Sequence, residues 1–198
     1  MELREAAALM DGILKERGTE KYTYTLSQSE KQELNVENGE FKLLRTVFSN
    51  SASIRVFPGA KMGAASGNDM TESGLRKLVG EAEAAAESGA EDPCYDFAPD
   101  QGKHVFRQGA EEPDLDRFLE RIQEFLTATA EEYPKVRIMS AIGSYDRWSW
   151  ISRNTNGTEY EAFGGQYSFA IEIPFIRTQW MFSDSNNLIT PEEHANMR

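Results

Sequence analysis

Apolar side chains recur at helical spacing at Leu3, Ala6, Ala7, Met10, Ile13 and Leu14, and Gly18 follows where a left-handed cap would end a helix. From Lys21 the period shortens to two. Tyr22, Tyr24 and Leu26 alternate with polar residues, and Leu34 and Val36 resume the pattern after a polar stretch read as a turn, so two strands are expected. Asn38-Gly39 then predicts a tight hairpin, because both central positions of a type I′ turn need positive φ. Further strands are expected over 42–48 and 52–57, a turn at Pro58-Gly59, and a short return over 61–65.

Asp69-Met70-Thr71-Glu72 has the form of a capping box, with Asp69 at the cap. The helix it opens carries Leu75, Leu78, Val79, Ala82, Ala85 and Ala86 on one face and Glu81, Glu83 and Glu87 on the other, and its alanines predict close packing on a sheet. Residues 88–112, with Pro93, Pro99 and Gly109, show no sustained period and mark an internal boundary. Pro113 suits the first turn of a third helix striped by Leu115, Phe118, Leu119, Ile122, Phe125 and Leu126, and Tyr133-Pro134 ends it. Asp114 and Asp116 are read as complements to the positive end of that helix. Strands over 136–142 and 147–153 follow, then a turn at Asn154-Thr155-Asn156-Gly157. A long alternation through Tyr167, Phe169, Ile171 and Ile173 comes last, with a bulge or bend at Gly164-Gly165.

The order helix, sheet, helix, linker, helix, sheet predicts an α+β fold with antiparallel meander sheets and helices on one face. The expected division is an N-terminal domain over 1–90, a linker over 91–112, and a helix with antiparallel strands over 113–198 that continues into a further C-terminal domain.

Charge narrows the partners. With 21 basic against 33 acidic residues the net charge is −12, which opposes direct nucleic-acid binding. No apolar run reaches the ~18 residues of a membrane helix, and the charged start Met1-Glu2-Leu3-Arg4-Glu5 predicts a cytoplasmic protein. The chemistry is sparse. His104 and His194 stand ninety positions apart and the single cysteine is Cys94, so the residues offer neither a zinc pair on one helix nor a nucleophile with its base. Asp184, Asn186 and Asn187 carry ligand oxygens but lack the glycine and closing glutamate of a calcium loop. No catalytic, metal or cofactor-binding residue is assigned. Trp148 and Trp150 flank Ser149 and so share one face of a strand, where they either line a peptide or partner contact or pack in the core.

Three landmarks resemble the amino-terminal region of the PmbA/TldD family, whose PmbA member is also called TldE and whose older description is modulator of DNA gyrase. The first is the strand-turn-strand block from Ser51 to Ser66, containing Ile54-Arg55-Val56-Phe57-Pro58-Gly59, with the helix from Thr71 to Glu87 after it. The second is Asp92-Pro93-Cys94, and the third is Arg153-Asn154-Thr155-Asn156-Gly157 before a long strand. The Gly63 to Ser66 segment and the Asp-Pro-Cys triplet lean toward the PmbA branch. The resemblance implies a non-catalytic part of a zinc-dependent peptidase system that processes, matures or degrades small or unfolded peptides. In that system a TldD-like subunit carries the histidine-glutamate zinc motif, and this chain pairs with a TldD-like or PmbA-like subunit. The alternative is a regulatory adaptor that contacts another protein, such as gyrase, without proteolysis.

Overall fold

The computed structural model of the protein describes residues 2–37, 40–110, 112–173 and 178–184. Its elements run α1 (Leu3–Arg17), β1 (Tyr22–Glu37), β2 (Glu40–Val56), β3 (Gly63–Gly67), α2 (Glu72–Glu87), β4 (Lys103–Gln108), α3 (Leu115–Glu132), β5 (Ser140–Asn154), β6 (Glu159–Ile173) and β7 (Thr178–Asp184). The α+β class and the helix-strand order expected from the pattern are present. The strands are ordered β3-β2-β1-β5-β6-β4, and β7 also pairs with β6, antiparallel from Ile173↔Thr178 to Tyr167↔Asp184.

Strand lengths depart from the expectation. The polar residues 27–33 and Ser49-Asn50-Ser51 do not break the chain, so β1 and β2 are single strands of 16 and 17 residues. Ser and Asn are turn-favouring residues, but that local preference is overridden here by pairing along a neighbouring strand. Likewise β5 is continuous through Gly143-Ser144, where two strands were expected. The Asn38-Gly39 turn itself lies outside the described residues. In β6 the buried positions run Ala162, Gly164 and then Gly165, Tyr167, Phe169, Ile171, a slip of one residue that fits the expected bulge. The stretch 91–112, expected to link, contains β4.

The chain folds as two compact units that interleave in sequence. The first comprises Met1–Ser29, Phe48–Arg107 and Trp148–Phe163; the second comprises Glu30–Val47, Gln108–Arg147 and Gly164–Arg198. In the first, α1 buries Leu3, Ala6, Ala7, Met10, Ile13 and Leu14, and α2 buries Leu75, Leu78, Val79, Ala82 and Ala86. Both helices pack on Tyr24, Leu26, Ala52, Ile54, Val56 and Ile151 of the strands. Gly18 closes α1 at φ 70°, ψ 27°, as the sequence predicts. The cap of α2 is Thr71, whose hydroxyl accepts from the Gly74 amide at 3.2 Å; Asp69 instead accepts from the Thr71 amide and hydroxyl. β3 starts two residues later than expected and pairs antiparallel with β2 from Val56↔Gly63 to Ala52↔Gly67.

In the second unit α3 buries Phe118, Ile122 and Phe125 against Leu34, Val36, Ala141, Tyr145, Tyr167, Phe169 and Ile171. Pro113 stands just before the helix rather than in its first turn. Asp114 is the cap and accepts from the Arg117 amide at 3.0 Å, because a carboxylate satisfies a free first-turn donor better than solvent can.

Candidate functional site

Strand alternation divides the first unit's sheet into two faces. Tyr24 and Leu26 of β1, Ala52, Ile54 and Val56 of β2 and Ile151 of β5 meet the helices. Their neighbours therefore form the opposite face: Thr23, Thr25 and Ser27; Ser51, Ser53 and Arg55; Trp148, Trp150 and Ser152. The register Ser53↔Ser66 and Arg55↔Ala64 adds β3 to it. This face is rich in hydroxyls that tie strands together. Thr25 Oγ1 donates to Ser152 Oγ at 3.0 Å, and Ser152 Oγ donates to the Tyr24 carbonyl at 3.1 Å.

Both indoles expected on one face are half-buried, and neither belongs to a core cluster. They line a concavity of about 360 Å³ with Ser27, Ser29, Ser49 and Ser51. A second concavity of about 490 Å³ lies over Thr23, Thr25, Ser53, Arg55, Ala64 and Ser66. Large aromatic surface beside hydroxyl donors and acceptors suits an extended peptide, whose side chains and backbone need both.

On the helix side of the same unit, α1 is clamped by an ionic cluster. The Tyr24 hydroxyl donates to Asp11 Oδ1 at 2.6 Å, and Arg153 Nη1 lies 2.6 Å from Asp11 Oδ2. Arg153 Nε is 3.0 Å from Glu159 Oε2 but lacks hydrogen-bond alignment with it. Burial, reinforced by the Asp11 carboxylate, pushes the Tyr24 phenol far above its ordinary range. Burial opposes the charge of Arg153, yet Tyr24, Asp11 and Glu159 together hold its pKa above the usual value. The cluster serves to fix α1 on β1, β5 and β6.

The other flagged residues stay apart. His104 is exposed, with Nε2 2.8 Å from the Gln101 carbonyl and its ring beside Phe106 and Tyr160. Cys94 is an exposed free thiol in the loop after α2. Asp184 ends β7, while Asn186, Asn187 and His194 lie outside the described residues. Among the described residues no three His, Cys, Asp or Glu side chains gather to hold a metal ion, and no helix is long and apolar enough to cross a membrane. The hydroxyl-lined half of the face was not singled out in the sequence. Its signal was the alternation of Ser51, Ser53 and Arg55 with apolar residues, but which side faces the helices needed the fold.

Residues 25–86 match the model of the family described as PmbA/TldA metallopeptidase domain 1. The chain thus resembles the amino-terminal region of PmbA/TldE-type proteins, as its landmarks suggested, and the match spans β1 to α2, including the first landmark. Three solved structures share the fold. TldE from Thermococcus kodakarensis aligns with a TM-score of 0.73 at 16% identity, over 89% of this chain and 43% of its own. A proposed modulator of DNA gyrase from Bacteroides thetaiotaomicron aligns at 0.69 and 20% identity, over 96% of this chain and 47% of its own. Another from Thermotoga maritima aligns at 0.67 and 14% identity, over 97% and 45%. The chain spans less than half the length of each. No curated protein matches it at a significant level.

Proposed function

We propose that this chain is the non-catalytic wall and partner-contact part of a zinc-dependent, PmbA/TldD-type peptidase assembly in the cytoplasm, acting on small or unfolded peptides. The observation that supports it most is the metallopeptidase-domain match over 25–86, because the strands it contains carry most of the hydroxyls of this face, beside which β5 sets the two indoles. Zinc in this reading belongs to a TldD-like partner, as the family resemblance implies. What the chain's own residues contribute is a surface: Trp148 and Trp150 offer contact area at low entropic cost, and the flanking hydroxyls satisfy peptide groups.

Affinity purification of the tagged chain from its own cells tests this reading. Recovery of a zinc-containing TldD-like protein is expected, together with no peptide hydrolysis by the purified chain alone. Chelator-sensitive cleavage by the chain alone would refute the non-catalytic role. The two structural relatives described as proposed gyrase modulators motivate a second reading, an adaptor without proteolysis. Recovery of gyrase and no TldD-like protein would favour it.

A further inference from the structure

We propose that Arg55, with the hydroxyls of Thr23 and Ser66, forms a carboxylate-binding subsite for the free C-terminal end of a peptide. The proposal rests on the reading of this face as peptide-binding, and it names the end group that the face would hold.

The first observation is an unmatched charge. The chain carries 33 acidic residues against 21 basic ones, and Arg55 is an exposed arginine that stands without one of those carboxylates, as Arg117 and Arg137 of the second unit also do. In the same unit Arg4 is paired with Glu161, Arg17 with Glu83, Arg76 with Glu16 and Glu72, and Arg153 with Asp11. Among the described residues no carboxylate lies in ion-pair contact with Arg55. The second observation is the setting. Arg55 lines a concavity of about 490 Å³ that has no acidic residue in its wall. Directly across the β2–β3 ladder stands Ala64, too small to cover the guanidinium, and the next pair on this face is Ser53↔Ser66.

The third observation is the balance of donors. Thr25 and Ser53 spend their hydroxyl protons within the sheet, on Ser152 and on the Thr25 carbonyl. The Thr23 and Ser66 hydroxyls have no such partner among the described residues. The concavity therefore offers a planar guanidinium fork and two free hydroxyls. A carboxylate accepts through two oxygens in the same plane and matches a guanidinium fork bidentately. A peptide chain end supplies that group attached to a backbone that the neighbouring hydroxyls and indoles can accommodate.

Calorimetric titration of the 198-residue protein with three forms of one short peptide of neutral side chains provides the test: the free acid, the C-terminal amide, and the amide with one internal glutamate. The free acid is expected to bind roughly tenfold more tightly than the amide at low ionic strength, with the advantage shrinking as salt rises. R55Q should reduce the acid to the affinity of the amide while leaving the amide unchanged. R55K, which keeps the charge but not the fork, should retain only part of the preference. Circular dichroism of each variant checks that the fold is intact. Equal binding of acid and amide overturns the subsite; if that shared binding is lost in W148A, the peptide-face reading survives. An advantage for the internal glutamate equal to that of the free acid refutes chain-end recognition. Binding of neither peptide overturns both readings.

Discussion

At the scale of single residues, two glycines of β3 make opposite predictions. A Cβ at Gly63 would overlap the Ala82 carbonyl and the Ala86 amide of α2, whereas one at Gly67 would meet only Leu78 Cδ1, at an ordinary 3.7 Å. G63A is therefore expected to destabilise the protein by about 1–3 kcal/mol, and G67A by less than about 0.5 kcal/mol, in urea denaturation. The contrast checks the close seating of α2 on β3. The half-burial of Trp148 and Trp150 predicts emission that acrylamide quenches, with the quenchable fraction falling in W148F and again in W148F/W150F. If the double variant quenched as the parent does, these indoles would be core residues. The pairing of the two indoles was legible from their spacing alone, while their exclusion from both cores was not. Period two says that they share a face but not which face meets the helices.

At the scale of elements, the caps show how far local patterns reach. Both helices of the first unit carry their apolar stripes where the 3.6-residue period puts them, except that Ala85, expected on the buried face of α2, is exposed, and Gly18 ends α1 as predicted. The start of α2 is displaced by two residues, because Asp69 and Thr71 are both competent caps and the spacing cannot choose between them. The geometry makes Thr71 the cap: T71A should cost about 1 kcal/mol and T71S should restore most of it, in thermal denaturation. A loss in T71A no larger than that of an exposed alanine substitution elsewhere would return the cap to Asp69. β4 escaped the sequence because its six residues are all exposed, leaving no alternation to read.

At the scale of the whole molecule, acidity and folding are linked through particular carboxylates. Hydrogen bonding from Arg17 holds Glu83 below its ordinary value of 4.5, and Thr19 adds to the effect despite partial burial. A carboxylate depressed in the folded state is deprotonated more readily there than in the unfolded chain. Its stabilisation is therefore full above pH 4.5 and is lost as pH falls through the folded value. E83Q should lower stability at pH 7 and flatten the decline below pH 4.5, measured as urea midpoints across pH. Tyr24 acts at the other extreme: its raised phenol predicts stability lost as pH climbs above the ordinary 10.0, and Y24F should remove that loss. The sequence by itself determined the α+β class, the order of the helices and main strands, the Asn154–Gly157 turn and the likeness of 25–86 to a metallopeptidase domain, because each is written in residues near one another in the chain. Only the tertiary structure decided that β1, β2 and β5 run unbroken through polar residues, that the two units interleave in sequence, and that Arg55 stands without a carboxylate. Those outcomes depend on which strands lie side by side and in what register, and cross-strand pairing joins residues whose separation along the chain carries no periodic trace.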